Sequence, residues 1–229
     1  MFPGALRWRA ICRGMLQPTQ PPHPTSVVKK LIKMLVHIIN AHPCPNSFGG
    51  AIHRHIVEVL VVNGHQIDDL DLYAERFDPV LTSRERDVYF DPAANLTGVK
   101  TYVERLRSAE ALVLCFPTWW YGMPAILKGW FDRVWLPGVA FHNPPQGGPI
   151  KRGLVNIQKL AAVTSYNSPR WFMLFYMRDP GKTVLMRGFT RLIAPGARTH
   201  YLAHYDMLRS TEVSRKRFLA RVDQTFASF

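Results

Sequence analysis

Several features that quickly point to a function are scarce or missing in this sequence. Its 229 residues hold three cysteines, Cys12, Cys44 and Cys115. That odd number without a close pair excludes a CxxC motif and a disulfide framework, and it fits a reducing compartment, the cytoplasm. No stretch approaches the roughly 18 uninterrupted apolar residues of a membrane-spanning helix. Neither G-x-G-x-x-G nor G-x-x-x-x-G-K occurs, which leaves a dinucleotide fingerprint and a P-loop unsupported. The histidines show no metal-ligand spacing, so no metal is expected. Acidic residues are absent before Glu58, while residues 1–33 carry Arg7, Arg9, Arg13, Lys29, Lys30 and Lys33. Within that leader, Pro18, Pro21, Pro22 and Pro24 deny a helix its donors. The expectation is an unstructured basic extension over 1–33 and a folded domain over 34–229, with Met34 a candidate start. The formal charge of +13 comes without a recognition motif, so no specific nucleic-acid partner is expected.

What is present is ample apolar material, 47% of residues with 12% aromatic, enough for a packed core. From residue 35 the pattern becomes regular. A β-branched run at 35–39 precedes a turn, and Phe48, Ala51, Ile52, Ile56, Val59 and Leu60 recur at helical spacing until Asn63-Gly64. Strands are expected at 66–72, 111–116, 160–164 and 197–203, and helices at 100–108, 124–135, 183–193 and 211–226. The stretch 73–94 has no clear period, and the Gly- and Pro-rich 137–153 reads as a loop or small hairpin. The third strand is apolar throughout, as a strand covered on both faces requires. Strand and helix alternate five times, the pattern of a doubly wound α/β sheet with the flavodoxin-like order 2-1-3-4-5. Such sheets bind ligands beyond the carboxyl ends of their strands, where the order reverses.

Three loops lie at that edge. The first, 40–50, contains His42, Asn46, Ser47 and Phe48 and ends at a helix N-terminus, where free N–H groups suit a phosphate. On this loop alone an ordinary N-cap by Asn46 or Ser47 is the better reading, since every helix needs a cap and few bind phosphate. The second, 116–124, sets Trp119, Trp120 and Tyr121 side by side after Pro117 and Thr118. Neighbouring side chains in an extended loop point different ways, so three adjacent aromatics do not all reach one core. A flat partner, or another subunit, accounts for them. The third, Thr164, Ser165, Tyr166 and Asn167 followed by Arg170, is small and polar, and draws meaning only from the other two.

These residues carry a resemblance. His42-Pro43 and Pro45-Asn46-Ser47-Phe48, and above all the run from Phe116 through Trp119-Trp120-Tyr121-Gly122-Met123-Pro124 to Gly129-Trp130-Phe131-Asp132-Arg133-Val134, resemble the NAD(P)H:quinone oxidoreductases of flavodoxin-like fold. The resemblance implies a bound flavin, FAD or FMN, reduced by NADH or NADPH and reoxidised by a quinone or similar acceptor in a ping-pong cycle. It implies that His42, Ser47 and Phe48 hold the phosphate portion. Pro117, Thr118, Trp119, Trp120 and Tyr121 would border the ring, and Thr164, Ser165, Tyr166 and Asn167 would meet its other polar edge. Trp119, Tyr121 and Tyr166 are the candidates for catalysis, the two tyrosines for proton delivery, and Arg170 for a 2′-phosphate on the nucleotide. A homodimer is implied as well. An azo- or nitro-reductase, an FMN reductase and a flavodoxin-type electron carrier share the fold and stand as alternatives. The basic charge argues against the carrier, since such carriers are typically acidic.

Overall fold

The computed structural model describes residues 33–144 and 146–229. The expectation for the basic extension therefore falls, Lys33 apart, outside the described residues. Five parallel strands form the central sheet: β1 (Leu35–Asn40), β2 (Gln66–Asp71), β3 (Ala111–Pro117), β6 (Lys159–Ser165) and β7 (Arg198–His204). The remaining two, β4 (Phe141–His142) and β5 (Lys151–Arg152), make a small antiparallel hairpin inside the Gly- and Pro-rich excursion. The sheet order β2-β1-β3-β6-β7 is the expected 2-1-3-4-5 once the hairpin is set aside.

Period-two alternation sorts the sheet's side chains into two layers. On one face Val36, Ile38, Val113 and Cys115 pack against α1 (Phe48–Val62) and α6 (Glu212–Ala227), meeting Ile52, Ile56, Leu60, Phe218, Val222 and Phe226. On the other, Ile39, Leu112, Leu114 and Phe116 pack with α3 (Lys100–Ser108) and α4 (Ala125–Val134), meeting Val103, Leu106, Leu127 and Trp130. Every residue of β3 is buried, which explains its unbroken apolar run. Cys115 faces this interior, and burial raises its thiol pKa far above the usual range, so it is an inert core group.

The unpatterned 73–94, expected as surface loop or short helix, contains only the short α2 (Ser83–Asp87), closed by a Thr82/Glu85 capping box. One stretch differs from expectation. The helix expected over 183–193 is α5 (Pro180–Thr183), followed by a π-helical turn (Val184–Gly188) and a 3₁₀ turn (Phe189–Arg191). Its buried positions, Gly181, Leu185 and Ile193, keep helical spacing, so the sequence pattern alone reads as one continuous α-helix. A second π-helical turn, Phe172–Tyr176, gave no sequence signal. Among the described residues no helix is long and apolar enough to cross a membrane.

The acidic run Asp68-Asp69-Leu70-Asp71 pins the β2 edge. Asp68 Oδ2 lies 2.9 Å from Nδ1 of the fully buried His37, and Asp68 accepts from Nε of Arg105 at 3.0 Å. Burial works against the Asp68 charge, but the His37 and Arg105 bonds win and hold its carboxyl well below the usual carboxylate range. A folded-state pKa below the unfolded one gives stability that is complete above pH ~4 and drains away as pH falls toward the folded value. Asp68→Asn should therefore cost about 2 kcal/mol at neutral pH. Urea unfolding followed from pH 7 to 3 should show a flatter acid dependence in the variant than in the parent chain.

Candidate active site

The carboxyl ends of β1, β3 and β6 share one rim because parallel register aligns them: Asn40 pairs with Cys115, and Pro117 with Ser165. Beyond β1 the chain turns through Pro43–Asn46 and enters α1 at Ser47. The Ser47 hydroxyl accepts from the Gly50 amide at 3.1 Å and donates to the Cys44 carbonyl at 2.7 Å. His42 Nδ1 accepts the Cys44 amide at 3.0 Å, so a neutral ring carries its proton on Nε2, 3.2 Å from the Ser47 oxygen. Burial lowers the His42 pKa, against the Cys44 bond and Asp71, and keeps that neutral form. At Gly49 a Cβ would stand 2.5 Å from the His42 ring, and at Gly50 2.0 Å from the Pro45 carbonyl oxygen. Only glycine lets the loop fold down here, and the first turn of α1 presents bare backbone. With Gly50 capped, the amides of Phe48 and Gly49 are the turn's remaining donors. No acidic residue occupies that turn.

Beyond β3 the chain reverses in two residues. Trp119 and Gly122 exchange amide-to-carbonyl bonds of 3.1 and 3.0 Å around Trp120 and Tyr121, whose φ values are +48° and +63°. Two consecutive positive φ values define a type I′ turn, ordinarily made by Asn-Gly. Aromatic side chains in this conformation are strained, by about 1–2 kcal/mol per residue. The turn sends the two rings different ways: Trp120 is 95% exposed, while the half-buried Tyr121 ring lies 6.1 Å from that of Phe172. The turn is tied to the sheet by the Thr118 amide, which donates to the Ser165 carbonyl, and by the Thr118 and Thr164 hydroxyls, 2.8 Å apart.

Beyond β6, Tyr166 swings inward and is 2% exposed. Its hydroxyl donates to Asp179 Oδ1 at 2.7 Å and accepts from the Tyr201 hydroxyl. Asp179, itself 4% exposed, also accepts from the Tyr205 hydroxyl at 3.2 Å and the Lys182 amide at 3.2 Å. Tyr166 and Tyr205 stack with ring centroids 5.0 Å apart. Burial first, then the Asp179 carboxylate, push the Tyr166 phenol well above its usual range, against an opposing effect of the Tyr201 hydroxyl. Tyr205 is pushed up to about 12 by burial and Asp179. Asp179 occupies the left-handed region, as does Arg178 before it, with φ of +44° and +55°. A second strained turn thus carries a buried carboxylate into the site.

These loops line two spaces along the rim. A cavity of about 290 Å³ is lined by Thr118, Trp119, Trp120, Tyr121, Tyr166 and Asn167, all six expected from sequence, together with Ser168. A narrow crevice beside it is lined by Asn40, His42, Gly49, Thr164 and Ser165 among others, and the Asn40 Oδ1 atom is buried without a partner among the described residues. The other expected residues stand apart from both spaces. Ser47 is the helix cap, and Asn46 is exposed before it. Pro117 is buried at the strand end. The Phe48 ring packs against His204 and Phe218, at 5.4 and 6.1 Å, so only its backbone faces the loop.

Sequence reasoning missed Gly49, Gly50, Asp179, Tyr201 and Tyr205. The glycine pair directly after the Ser47 cap was a readable signal. Asp179 lies 13 residues beyond Tyr166 in a segment without period, and nothing local announces the contact.

The flavodoxin-like fold family model matches residues 34–184. A ribosyldihydronicotinamide dehydrogenase-like protein of Penicillium crustosum is 38% identical over 121 residues, which cover 46% of this chain and 45% of the relative. The chain spans about half the length of the curated relatives it matches. The solved NAD(P)H:quinone oxidoreductase from Methanothermobacter marburgensis superposes with a TM-score of 0.71 at 26% identity, covering 85% of this chain and 96% of that one. An FMN-dependent NADH-azoreductase of Bacillus anthracis, solved in complex with FMN, shares the fold with a TM-score of 0.68 at 15% identity, over 85% of this chain and 98% of that one. With sheet order, register and a match over most of the described domain in agreement, the chain belongs to the flavodoxin-like fold family.

Proposed function

We propose that this chain is a flavin-dependent NAD(P)H dehydrogenase of the quinone type, taking hydride from NADH or NADPH and delivering two electrons to a quinone-like acceptor in a ping-pong cycle. Bound flavin, FMN or FAD, supplies the two-electron redox chemistry. The observation that carries this reading is the pairing of a bare, glycine-floored helix N-terminus with an aromatic-walled cavity across one rim of the sheet. A flat ring with an anionic tail needs that pair of sites, and the residues present fit it.

Each loop then has its own task. The amides of Phe48 and Gly49, with Ser47 and neutral His42, receive the phosphate, helped by the positive end of the α1 dipole. Asn46 borders the same turn. Pro117 and Thr118 anchor the aromatic turn, and Trp119, Trp120 and Tyr121 form the wall against which nicotinamide and acceptor lie in turn. The Trp120 and Tyr121 amides, held by the type I′ geometry, are donors for the ring's polar edge. Thr164, Ser165, Tyr166 and Asn167 face the opposite edge. A phenol raised as far as that of Tyr166 is a poor acid, which favours Tyr121 as the proton source and makes Tyr166 a fixed, neutral wall. The exposed aromatics around the rim, Trp120 among them, suit burial in a homodimer, and a cytoplasmic setting agrees with the free thiols.

The deciding measurement is an absorption spectrum of the purified protein with FMN or FAD added. Flavin should bind, bleach with NADH or NADPH, and recover its colour with a quinone. Faster recovery with an azo dye than with any quinone would move the chain to the azoreductases, and failure to take up either flavin would overturn the reading. Gly49→Val, which drives a branched side chain into His42, should weaken flavin binding at least tenfold by fluorescence titration.

The aromatic turn should show a trade-off. Trp120→Gly relieves one positive-φ residue whose side chain is 95% exposed and has little packing to lose, and should raise the unfolding free energy by about 1 kcal/mol. The same variant should lower kcat/KM for the acceptor, because the wall is gone. Thermal melts and steady-state assays on one preparation check both halves.

A further inference from the structure

Behind the aromatic cavity lies a second concavity of about 380 Å³ with a different character. Its lining includes Arg170, Lys182 and Arg221, with Tyr201 and Tyr205 between them. Among the described residues none of the three cations has an acidic side chain within ion-pair distance. Elsewhere on the molecule Arg105, Lys128 and Arg133 are each so paired. The three converge from separate elements: Arg170 follows the loop after β6, Lys182 belongs to α5, and Arg221 to α6. Lys182 Nζ lies 5.7 Å above the Tyr201 ring. The phenol protons of Tyr201 and Tyr205 are committed to Tyr166 and Asp179. A ligand therefore meets two guanidinium forks and an ammonium as donors, with aromatic walls. The buried Asp179 carboxylate stands behind the tyrosines and does not line this space.

The cleft adjoins the proposed site in two ways. Asn167 and Ser168 line the aromatic cavity and lead directly to Arg170, while the Tyr166–Tyr201 hydroxyl contact forms the partition between the two spaces. Gly181, next to Lys182, lies beside the aromatic turn: a Cβ there would be in ordinary contact with the Tyr121 carbonyl oxygen at 3.6 Å and the Tyr166 hydroxyl at 3.7 Å. A ligand seated against Tyr121 that extends past this partition would meet three cations with no acidic side chain in ion-pair distance among the described residues. Guanidinium forks hold phosphate groups with paired, charge-assisted hydrogen bonds.

We propose that this cleft binds a phosphate monoester, the 2′-phosphate of the reduced nucleotide substrate, and so makes the chain selective for NADPH over NADH. The assignment rests on the dehydrogenase reading above and adds the nucleotide's identity to it. Losing one charge-assisted contact to the phosphate should weaken NADPH binding about tenfold or more.

The test uses the full-length protein loaded with flavin. Arg170→Ala and Arg221→Ala should each raise KM for NADPH about tenfold more than KM for NADH, with kcat for NADPH little changed, and Arg170→Lys should recover part of the loss. Independently of turnover, calorimetric titration with adenosine 2′,5′-bisphosphate should show tighter binding than with adenosine 5′-monophosphate. That difference should shrink in both alanine variants and with added salt. Equal KM values for NADPH and NADH in the parent chain would overturn the assignment. So would equal binding of the two adenosine phosphates. If the alanine variants instead lose affinity for FAD but not for FMN, the cleft holds a cofactor diphosphate, and the nucleotide assignment falls. A protein that takes up flavin and oxidises NADH and NADPH alike keeps the dehydrogenase reading and loses this one. A protein that takes up no flavin loses the reading itself.

Discussion

Parallel pairing forces every strand of a sheet to end on the same side, and this constraint organises the molecule. The register between β1, β3 and β6 brings Asn40, Pro117 and Ser165 to one rim. Loops that are tens of residues apart in sequence therefore share a crevice without any contact having to recruit them. The two apolar layers, one under α1 and α6 and one under α3 and α4, hold that rim rigid. Rigidity is what allows the loops to carry strain, because a mobile scaffold would relax the positive φ angles at Trp120, Tyr121, Arg178 and Asp179.

The two strained turns do complementary things. At Trp120-Tyr121 the backbone conformation turns the Trp120 ring out to solvent, against its hydrophobic preference, keeps Tyr121 packed beside Phe172, and frees backbone amides at the cavity mouth. At Arg178-Asp179 it does the reverse, carrying a carboxylate inward to meet three hydrogen-bond donors. A lone buried carboxylate would be costly. Two phenols and an amide offset that cost and turn the loop after β6 into a fixed wall.

Much of the fold was legible because its signals are local. The unbroken apolar run of β3, the helical spacing from Phe48 to Leu60 and the Asn63-Gly64 stop each follow from burial or backbone geometry within a few residues. The aromatic rim loop was legible for the same reason, since three adjacent aromatics cannot all be core, whereas the Gly49-Gly50 pair after the Ser47 cap was a local signal left unread. Less legible were features that depend on long-range partners. Asp179 reads as an unremarkable turn residue until Tyr166 and Tyr205 are placed around it. The segment 172–191 keeps buried positions such as Gly181 and Leu185 at helical spacing, so its pattern does not distinguish π-helical and 3₁₀ turns from a plain α-helix. Phe48 was misjudged in one respect, since its ring serves the α6 packing while only its amide belongs to the rim.

The closeness of His42 to Gly49 has one more consequence. The imidazole and any side chain at position 49 would compete for a single volume, so the two sites form a coupled pair: a bulkier residue at 49 requires a smaller one at 42, and the reverse. Replacing the ring would also withdraw the acceptor that orients the Cys44 peptide, and so loosen the bend leading into Ser47. Diversification of this loop is thus possible only in concerted steps, which restricts the anions that descendants of this chain could come to hold there.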